Sequence, residues 1–426
     1  MRPERRPTGP PRPPRLLALG AAGVVAGCAA CWDNGAAPTT TNTGAGPQPA
    51  LVASVAIPAN FGIHDTFVRD GLAFVCAWNT GVMIFDVGNG IQGGSPASPQ
   101  LLATHVTSGG QTHNAWWFWN PSTGEKKYLF VGQEGPGKLG SSSSGDIHVL
   151  DVSDFRNPTE VALFHLNGAG THNFWMDESA QVLYAAYYNQ GVVALDASGI
   201  LSGDLSSRLI DSIRPGGAGN TYAWGVQLYD GSLYAIDMLS GFWQLGLAGG
   251  KFSVLSGGNN VPERYSSDLA VANGFAYTGT WGSAARTTGV VGNAVKIWRL
   301  DASGAPALLD SIVTPEIGTV SDVKVSPDGK LLMFSAELGP HAGFWFYSLQ
   351  DPAAPAYVAK YPVPNGVHTA KFGAIGGRLY AFGAEDPSPQ SPPALLILDV
   401  TDIDQSVVQR VKPAQSHPPR AARPGS

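Results

Sequence analysis

The chain has 426 residues, a formal net charge of −6 at pH 7 and only 14% charged residues. No basic stripe runs through it, so we expect no nucleic-acid partner. Three cysteines make no disulfide framework, whereas 54 glycines and 33 prolines favour many short strands separated by turns.

The N-terminal residues 1–27 have the pattern of a secretory signal peptide. Residues 1–15 contain five arginines and many prolines, and residues 16–27 form an apolar run that is too short to span a bilayer. The run ends Val25-Ala26-Gly27-Cys28, which resembles a bacterial lipobox. The resemblance implies cleavage before Cys28 and a diacylglycerol on its sulfur. The alternatives are an ordinary signal peptide or an alanine-rich leader in which the cysteine occurs by chance.

A predicted flexible tether follows the signal peptide. Residues 28–50 are mostly Ala, Thr, Asn, Gly and Pro, which bury little apolar area. Together the leader and the tether predict an extracytoplasmic, membrane-anchored lipoprotein, in a bacterial periplasm or on the cell surface. Its predicted membrane contact is the lipid anchor.

From residue 51 the sequence repeats one pattern of short strands. Each unit consists of three strands, the first of which starts near a polar residue, and the units recur every 40–50 residues or so, the length of one propeller blade. One further strand precedes each unit, which gives seven such strands: residues 51–57, 101–106, 160–166, 208–213, 252–255, 307–313 and 356–363. Seven such strands predict seven blades.

The first and last strands predict how the ring closes. The strand at 51–57 has no blade before it, and the last blade ends at Val400 without an outer strand. We therefore predict an all-β, seven-bladed β-propeller over residues 51–402, closed by its N-terminal strand, because closure removes exposed sheet edges. The polar residues 403–426 are predicted to be a disordered tail.

Four segments resemble the LVIVD repeat of bacterial surface propellers: GVMIFDV at 81–87, GDIHVLDVSDFRNPTEVALF at 145–164, GVVALDAS at 191–198 and ALLILDV at 394–400. The resemblance covers roughly residues 51–402, although the fourth to sixth blades depart from the terminal aspartate pattern. It implies blade architecture and a surface location, and it implies little about chemistry.

Four of the nine histidines fall at one register, the start of the inner strand: His64, His113, His172 and His368. Inner strands line the central channel of a propeller, so these imidazoles are expected at one channel mouth. Second strands run back to that face, and their ends place Glu134, Glu337 and Glu385 there, as carboxylates behind the imidazoles.

Imidazoles with carboxylates behind them suit iron, copper or zinc. The arrangement is similar to that of carotenoid-cleaving oxygenases, without a match in sequence. The alternative is that a shared register reflects shared packing only. Asp65, Asp268 and Asp322 lie at the same register and are either further channel ligands or strand-start caps.

Three functions remain open from the sequence. The first is a propeller that binds a ligand or metal at the histidine-lined mouth, where inserts at 134–146, 281–294 and 384–393 are expected to roof a small-molecule pocket. The second is a metal-dependent oxidoreductase that uses the same four histidines. The third is a scaffold that binds another surface protein.

Overall fold

The computed structural model describes residues 47–58, 62–282 and 290–403. Within these ranges the chain is almost entirely β-strand and turn, with one 3₁₀ turn at Ser206–Arg208. No helix in the same ranges has the length and hydropathy that crossing a bilayer requires. The predicted signal peptide, the lipidation site Cys28 and residues 404–426 of the predicted tail lie outside the described residues.

The strands form seven antiparallel blades, which we number in chain order. The chain starts with β1 (Ala50–Ala56). Blade 1 contains β2 (Asp65–Arg69), β3 (Leu72–Cys76), β4 (Val82–Asp86) and β5 (Gln100–His105). Blade 2 contains β6 (Thr112–Trp117), β7 (Tyr128–Gln133), the small hairpin β8 (Gly135–Pro136) and β9 (Ser143–Ser144) between its strands, β10 (Ile147–Asp151) and β11 (Thr159–Phe164).

The remaining blades repeat this order. Blade 3 contains β12 (Phe174–Asp177), β13 (Val182–Ala186), β14 (Val192–Asp196) and β16 (Leu209–Ile213). The short β15 (Gly203–Asp204) lies between β14 and β16 in the chain but pairs in parallel with β11, at the edge of blade 2. Blade 4 contains β17 (Ala223–Tyr229), β18 (Ser232–Asp237), β19 (Gly241–Ala248) and β20 (Lys251–Gly257). Blade 5 contains β21 (Tyr265–Ala272), β22 (Phe275–Trp281), β23 (Ala294–Leu300) and β24 (Pro306–Val313).

The last two blades complete the ring. Blade 6 contains β25 (Thr319–Val325), β26 (Leu331–Glu337), β27 (Gly343–Ser348) and β28 (Ala356–Pro362). Blade 7 contains β29 (Val367–Ile375), β30 (Arg378–Glu385) and β31 (Ala394–Asp399). Its outer strand is β1, which pairs antiparallel with β31 from Ala50 opposite Asp399 to Ala56 opposite Ala394. The predicted seven-bladed ring, with its N-terminal strand as the closing strand, is confirmed.

Tight turns between the first and second strands point away from the inner-strand starts. Three of the four Asx-Gly turns at this position have positive φ at both central residues: Asp70-Gly71, Asp230-Gly231 and Asn273-Gly274. That geometry matches the twist of a hairpin. The fourth turn, Asp328-Gly329, differs: Gly329 has positive φ, but Asp328 does not. There the longer turn of residues 326–330 is held by the Ser326 hydroxyl, which accepts the backbone N–H of Leu331 at 2.9 Å.

Aspartates that end third strands organise the turns after them. The buried Asp86 carboxylate accepts five backbone N–H groups from residues 88–94. Burial opposes ionisation, but these hydrogen bonds outweigh it and hold the pKa of Asp86 at about 2. Cys76 is buried in β3, and burial raises the pKa of its thiol.

Candidate functional site at the histidine mouth

The structure brings the four predicted histidines together at the inner-strand starts. His64 and His172 lie just before β2 and β12, and His113 and His368 are the second residues of β6 and β29. Their blades are neighbours in the ring, so the rings form an arc in the order His368, His64, His113, His172. Successive ring centroids are 4.2, 3.8 and 4.2 Å apart. We call these four side chains the histidine cluster.

Glu134 lies beside the histidine cluster and not behind it, which corrects the expectation from the sequence. Its Oε2 is 3.2 Å from His64 Nε2 and 3.9 Å from His113 Nε2. Its Oε1 accepts a hydrogen bond from the Tyr188 hydroxyl. The reason is local: Glu134 follows the last residue of β7 and donates its backbone N–H to Gln111 O, so its side chain turns across the mouth.

Glu337 and Glu385 behave differently from each other. Glu337 is fully buried, and its Oε1 lies 2.7 Å from His368 Nδ1, behind the imidazole as expected. Glu385 instead accepts a hydrogen bond from Asn365 Nδ2 at 3.0 Å, and no contact joins it to the four described histidines. The expectation for Glu385 is therefore wrong. The residue that the sequence missed is Asp386, which forms a compact group with Glu337 and His368.

Hydrogen bonds behind two of the rings fix their neutral tautomers. A backbone carbonyl can only accept, so His172 Nδ1 must donate to Trp224 O, at 2.6 Å. Glu337 favours the same Nδ1–H form of His368. In the neutral state both rings therefore present the lone pair of Nε2. His368 Nε2 lies 3.0 Å from His64 Nε2.

His113 and the far side of His172 lack partners. Neither ring nitrogen of His113, nor His172 Nε2, has a hydrogen-bond partner among the residues that the structure describes. Burial, followed by repulsion from neighbouring histidines, lowers the pKa of His113 and His172 well below the usual value. Both imidazoles are thus neutral at pH 7. Neutral, buried, unbonded imidazole nitrogens are the form in which histidine binds metal ions.

A pocket of about 440 Å³ lies over the cluster. His64, His368 and Glu134 contribute to its polar side, with Asp386. Its remaining walls are largely aromatic: Trp78, Tyr188, Tyr222, Trp224 and Trp281. The insert after β7 also contributes Pro136, Gly137 and Leu139, as the sequence predicted for residues 134–146. A small organic molecule in this pocket would contact aromatic rings on one side and imidazoles on the other.

Two of the three aspartates at the same register contact a lysine, whereas Asp65, at the start of β2, accepts the backbone N–H of Thr66 at 2.7 Å, as a strand-start cap would. Lys324 Nζ forms ion pairs with both Asp268 and Asp322, on neighbouring blades. This ionic cluster lies further along the inner strands than the histidines. Of the two alternatives left open for these aspartates, neither describes Asp268 and Asp322, because their direct partner is a lysine.

The comparisons with known proteins show the fold. No protein-family model and no curated protein matches the chain, so membership of the LVIVD-repeat family stays a prediction. Among solved structures, the chain is similar to the WD40 β-propeller domain of Doa1. The TM-score is 0.55, with 11% identity over 82% of this chain and 96% of that one. The chain is therefore a seven-bladed β-propeller, and its function must be argued from its own side chains.

Proposed function

We propose that this propeller binds a transition-metal ion through His64, His113 and Glu134, with His368 as a fourth ligand. The observation that carries the proposal is the convergence of these donor atoms: those of the first three residues all lie within 4.8 Å of one another. Ligands bonded to one zinc ion at about 2.0–2.1 Å are at most about 4.2 Å apart. The separations of 3.2 and 3.9 Å from Glu134 and of 3.0 Å between the two Nε2 atoms meet that limit.

The surroundings of the ligands support the same proposal. Glu337 behind His368 would orient the ring and increase the basicity of Nε2, as carboxylates do for ligand imidazoles. His172 lies next to His113, and its neutral Nε2 makes it an additional ligand or a support for the ring of His113. Imidazole with one carboxylate suits iron, copper or zinc.

We propose further that the aromatic pocket holds the organic ligand of the protein. Five aromatic side chains supply large, rigid contact surfaces, and the imidazoles and Glu134 give the ligand its orientation. The volume of about 440 Å³ is within the range of small-molecule sites. A metal ion at the floor of this pocket would contact the ligand directly.

Metal content of the purified chain, measured by plasma mass spectrometry, tests the first part. Near-stoichiometric iron, copper or zinc is expected, with loss in the His113→Ala/His172→Ala double variant and in Glu134→Gln. His341→Ala is the matched control, because His341 is a half-exposed histidine that pairs with Glu316 at 2.7 Å. No metal in the wild type after reconstitution would contradict the proposal and leave an organic-ligand or protein-binding propeller.

A metal-dependent oxidoreductase is the second candidate, favoured by one observation. The pocket reaches His64, His368 and Glu134 from one side, so an ion there would keep a coordination position open toward the pocket. Azide added to the copper(II)- or iron-loaded protein is expected to bind the ion and to produce a new absorption band. A loaded protein whose spectrum does not respond to azide would argue against open coordination.

We also propose that the chain is a lipoprotein anchored through Cys28. The support is the order of basic segment, apolar run and cysteine in the first 28 residues. Mass spectrometry of the mature N-terminal peptide is expected to show a lipid-modified Cys28. The Cys28→Ser variant is expected in the soluble fraction. A mature protein that begins elsewhere, without lipid, would contradict this part alone.

A further inference from the structure

A second cavity, of about 550 Å³, lies at the opposite end of the channel. Its walls include inner-strand residues and the hairpin turns that follow them, among them residues 272–273 and 325–329. Inner strands begin at the histidine mouth, so the turns at their far ends belong to the other opening. Consecutive residues divide between the two cavities: His64 lines the first, and Asp65 lines the second.

One lysine of this cavity is already paired. Lys324 bridges Asp268 and Asp322. The remaining oxygens of the two carboxylates also have partners. Asp322 Oδ2 accepts the backbone N–H of Ala370 at 2.9 Å, and Asp268 Oδ1 accepts Asn173 Nδ2 at 3.0 Å. These carboxylates are therefore fully engaged.

The other lysine, Lys371, has no such partner. It lies in β29 and lines the same cavity, with Nζ 5.7 Å from the centre of the Phe67 ring. Across the described ranges it makes no hydrogen bond and no ion pair within 4 Å. Burial, followed by repulsion from Lys324, lowers the pKa of Lys371, although Asp65, Asp322 and Asp268 oppose the shift. A desolvated lysine beside another cation is an activated amine.

We propose that this second cavity is a carbonyl-binding site in which Lys371 Nζ forms an imine with a small, uncharged aldehyde or ketone. The nitrogen lone pair attacks the carbonyl carbon, and a proton passes from nitrogen to oxygen to give a carbinolamine. Its hydroxyl takes a proton from solvent and leaves as water while the C=N bond forms. Loss of the remaining N–H proton gives the imine, so amine and carbonyl yield imine and water.

The charges around Lys371 select against anionic carbonyl compounds. Asp65, Asp268 and Asp322 lie near the two lysines in this part of the channel. Burial raises the pKa of Asp65 and Asp322, whereas the pKa of Asp268 is lowered, with Lys324 as the main cause that opposes its burial. An anion would lose its hydration beside the ionised Asp268 carboxylate, whereas a neutral carbonyl would not carry that cost. The aromatic walls, which include Phe67, Trp116 and Phe372, favour an apolar body on the ligand. The inference does not depend on the metal site.

Reductive trapping tests the proposal on the wild-type protein. The protein is incubated at pH 7 with propanal and cyanoborohydride, and labelled lysines are identified by peptide mass spectrometry. Lys371 is expected to react faster than the exposed Lys138 and Lys251, because its lowered pKa leaves a larger fraction of the amine neutral at pH 7. A rate at Lys371 no higher than at these two lysines would overturn the proposal.

Two comparisons make the result specific. With glyoxylate, an anionic aldehyde, the preferential labelling of Lys371 is expected to disappear. Equal preference for Lys371 with both aldehydes would overturn the predicted charge selection. Lys371→Arg is expected to lose the label at this position only. Lys324→Arg keeps a cation between Asp268 and Asp322 and is expected to leave the labelling of Lys371 in place.

Discussion

The two ends of the channel bury polar groups in opposite ways. At the histidine mouth, His113 and His172 are neutral bases at pH 7, and His113 has no hydrogen-bond partner for either ring nitrogen in the described part of the chain. At the other end, Lys324 Nζ contacts a carboxyl oxygen of both Asp268 and Asp322. The histidines belong to the inner strands of blades 7, 1, 2 and 3, whereas the ionic cluster belongs to the inner strands of blades 5 and 6.

This difference suits the ionic cluster to a role in stability and the histidine mouth to a role in binding. Buried polar groups normally have hydrogen-bond partners, and unpartnered ones call for an explanation. The ionic cluster satisfies its own members, so it needs no ligand to be stable. At the histidine mouth, ring nitrogens of His113 and His172 have no hydrogen-bond partner in the described part of the chain, and a pocket lies over the cluster. A bound ion or molecule would supply the missing partner.

Removal of the central cation should have the largest effect on stability. Lys324→Met leaves the buried Asp268 and Asp322 carboxylates without their shared partner. Breaking a buried ion pair from one side costs about 3–5 kcal/mol, so the free energy of unfolding in urea is expected to fall by that amount. Lys330→Met is the control, because Lys330 is exposed and lies 3.6 Å from an exposed carboxylate, that of Asp328. An equal loss of unfolding free energy in the two variants would show that the ionic cluster does not stabilise the fold more than an exposed ion pair does.

The histidine mouth should instead show its cost at low pH. In the metal-free protein, kept so with a chelator, His113 and His172 stay neutral below the pH at which an unfolded histidine takes up a proton. Their folded pKa values are lowered, so the unfolded state binds more protons between those values and about pH 6.5. The contribution of these two histidines to the free energy of unfolding is therefore constant above pH 6.5. As the pH decreases from 6.5, the free energy of unfolding decreases by about 1.4 kcal/mol per pH unit for each histidine.

The variant His113→Phe tests which groups cause this pH dependence. It is expected to halve the slope, while the free energy of unfolding at pH 8 changes by less than about 1 kcal/mol, because the lost ring made no hydrogen bonds. Urea titrations at pH 8, 6 and 5 measure both quantities. An unchanged slope in His113→Phe would show that other groups are responsible.

The parts of the site that could be predicted are those fixed by the repeat. His64, His113, His172 and His368 lie at equivalent positions of successive blades, so blade geometry alone brings them to one mouth. Ring closure followed from counting outer strands, since only β1 was left to pair with β31. Both inferences concern residues within strands, where the backbone pairing determines on which side and at which end of the blade each side chain lies.

The parts that could not be predicted lie where strand pairing ends. Glu134 and Glu385 both come at the ends of second strands, yet one reaches His64 and the other reaches Asn365. Asp386 belongs to an insert whose path the repeat does not specify. The pairing of Lys324 with Asp268 crosses between two blades, and no spacing in the sequence shows such a contact.

The smallest effect, and the sharpest comparison, concerns the two glutamates at the ends of β26 and β30. Glu337→Gln removes the charge behind His368, and loss of such a partner typically weakens metal binding 10–100-fold. Glu385→Gln is the matched control, because its carboxylate accepts from Asn365 and contacts none of the four described histidines. Competition with a chromophoric chelator measures both affinities, and thermal unfolding of the metal-free variants shows whether the fold is kept. Equal affinity of both variants would mean that Glu337 supports the packing of His368 without tuning a bound ion.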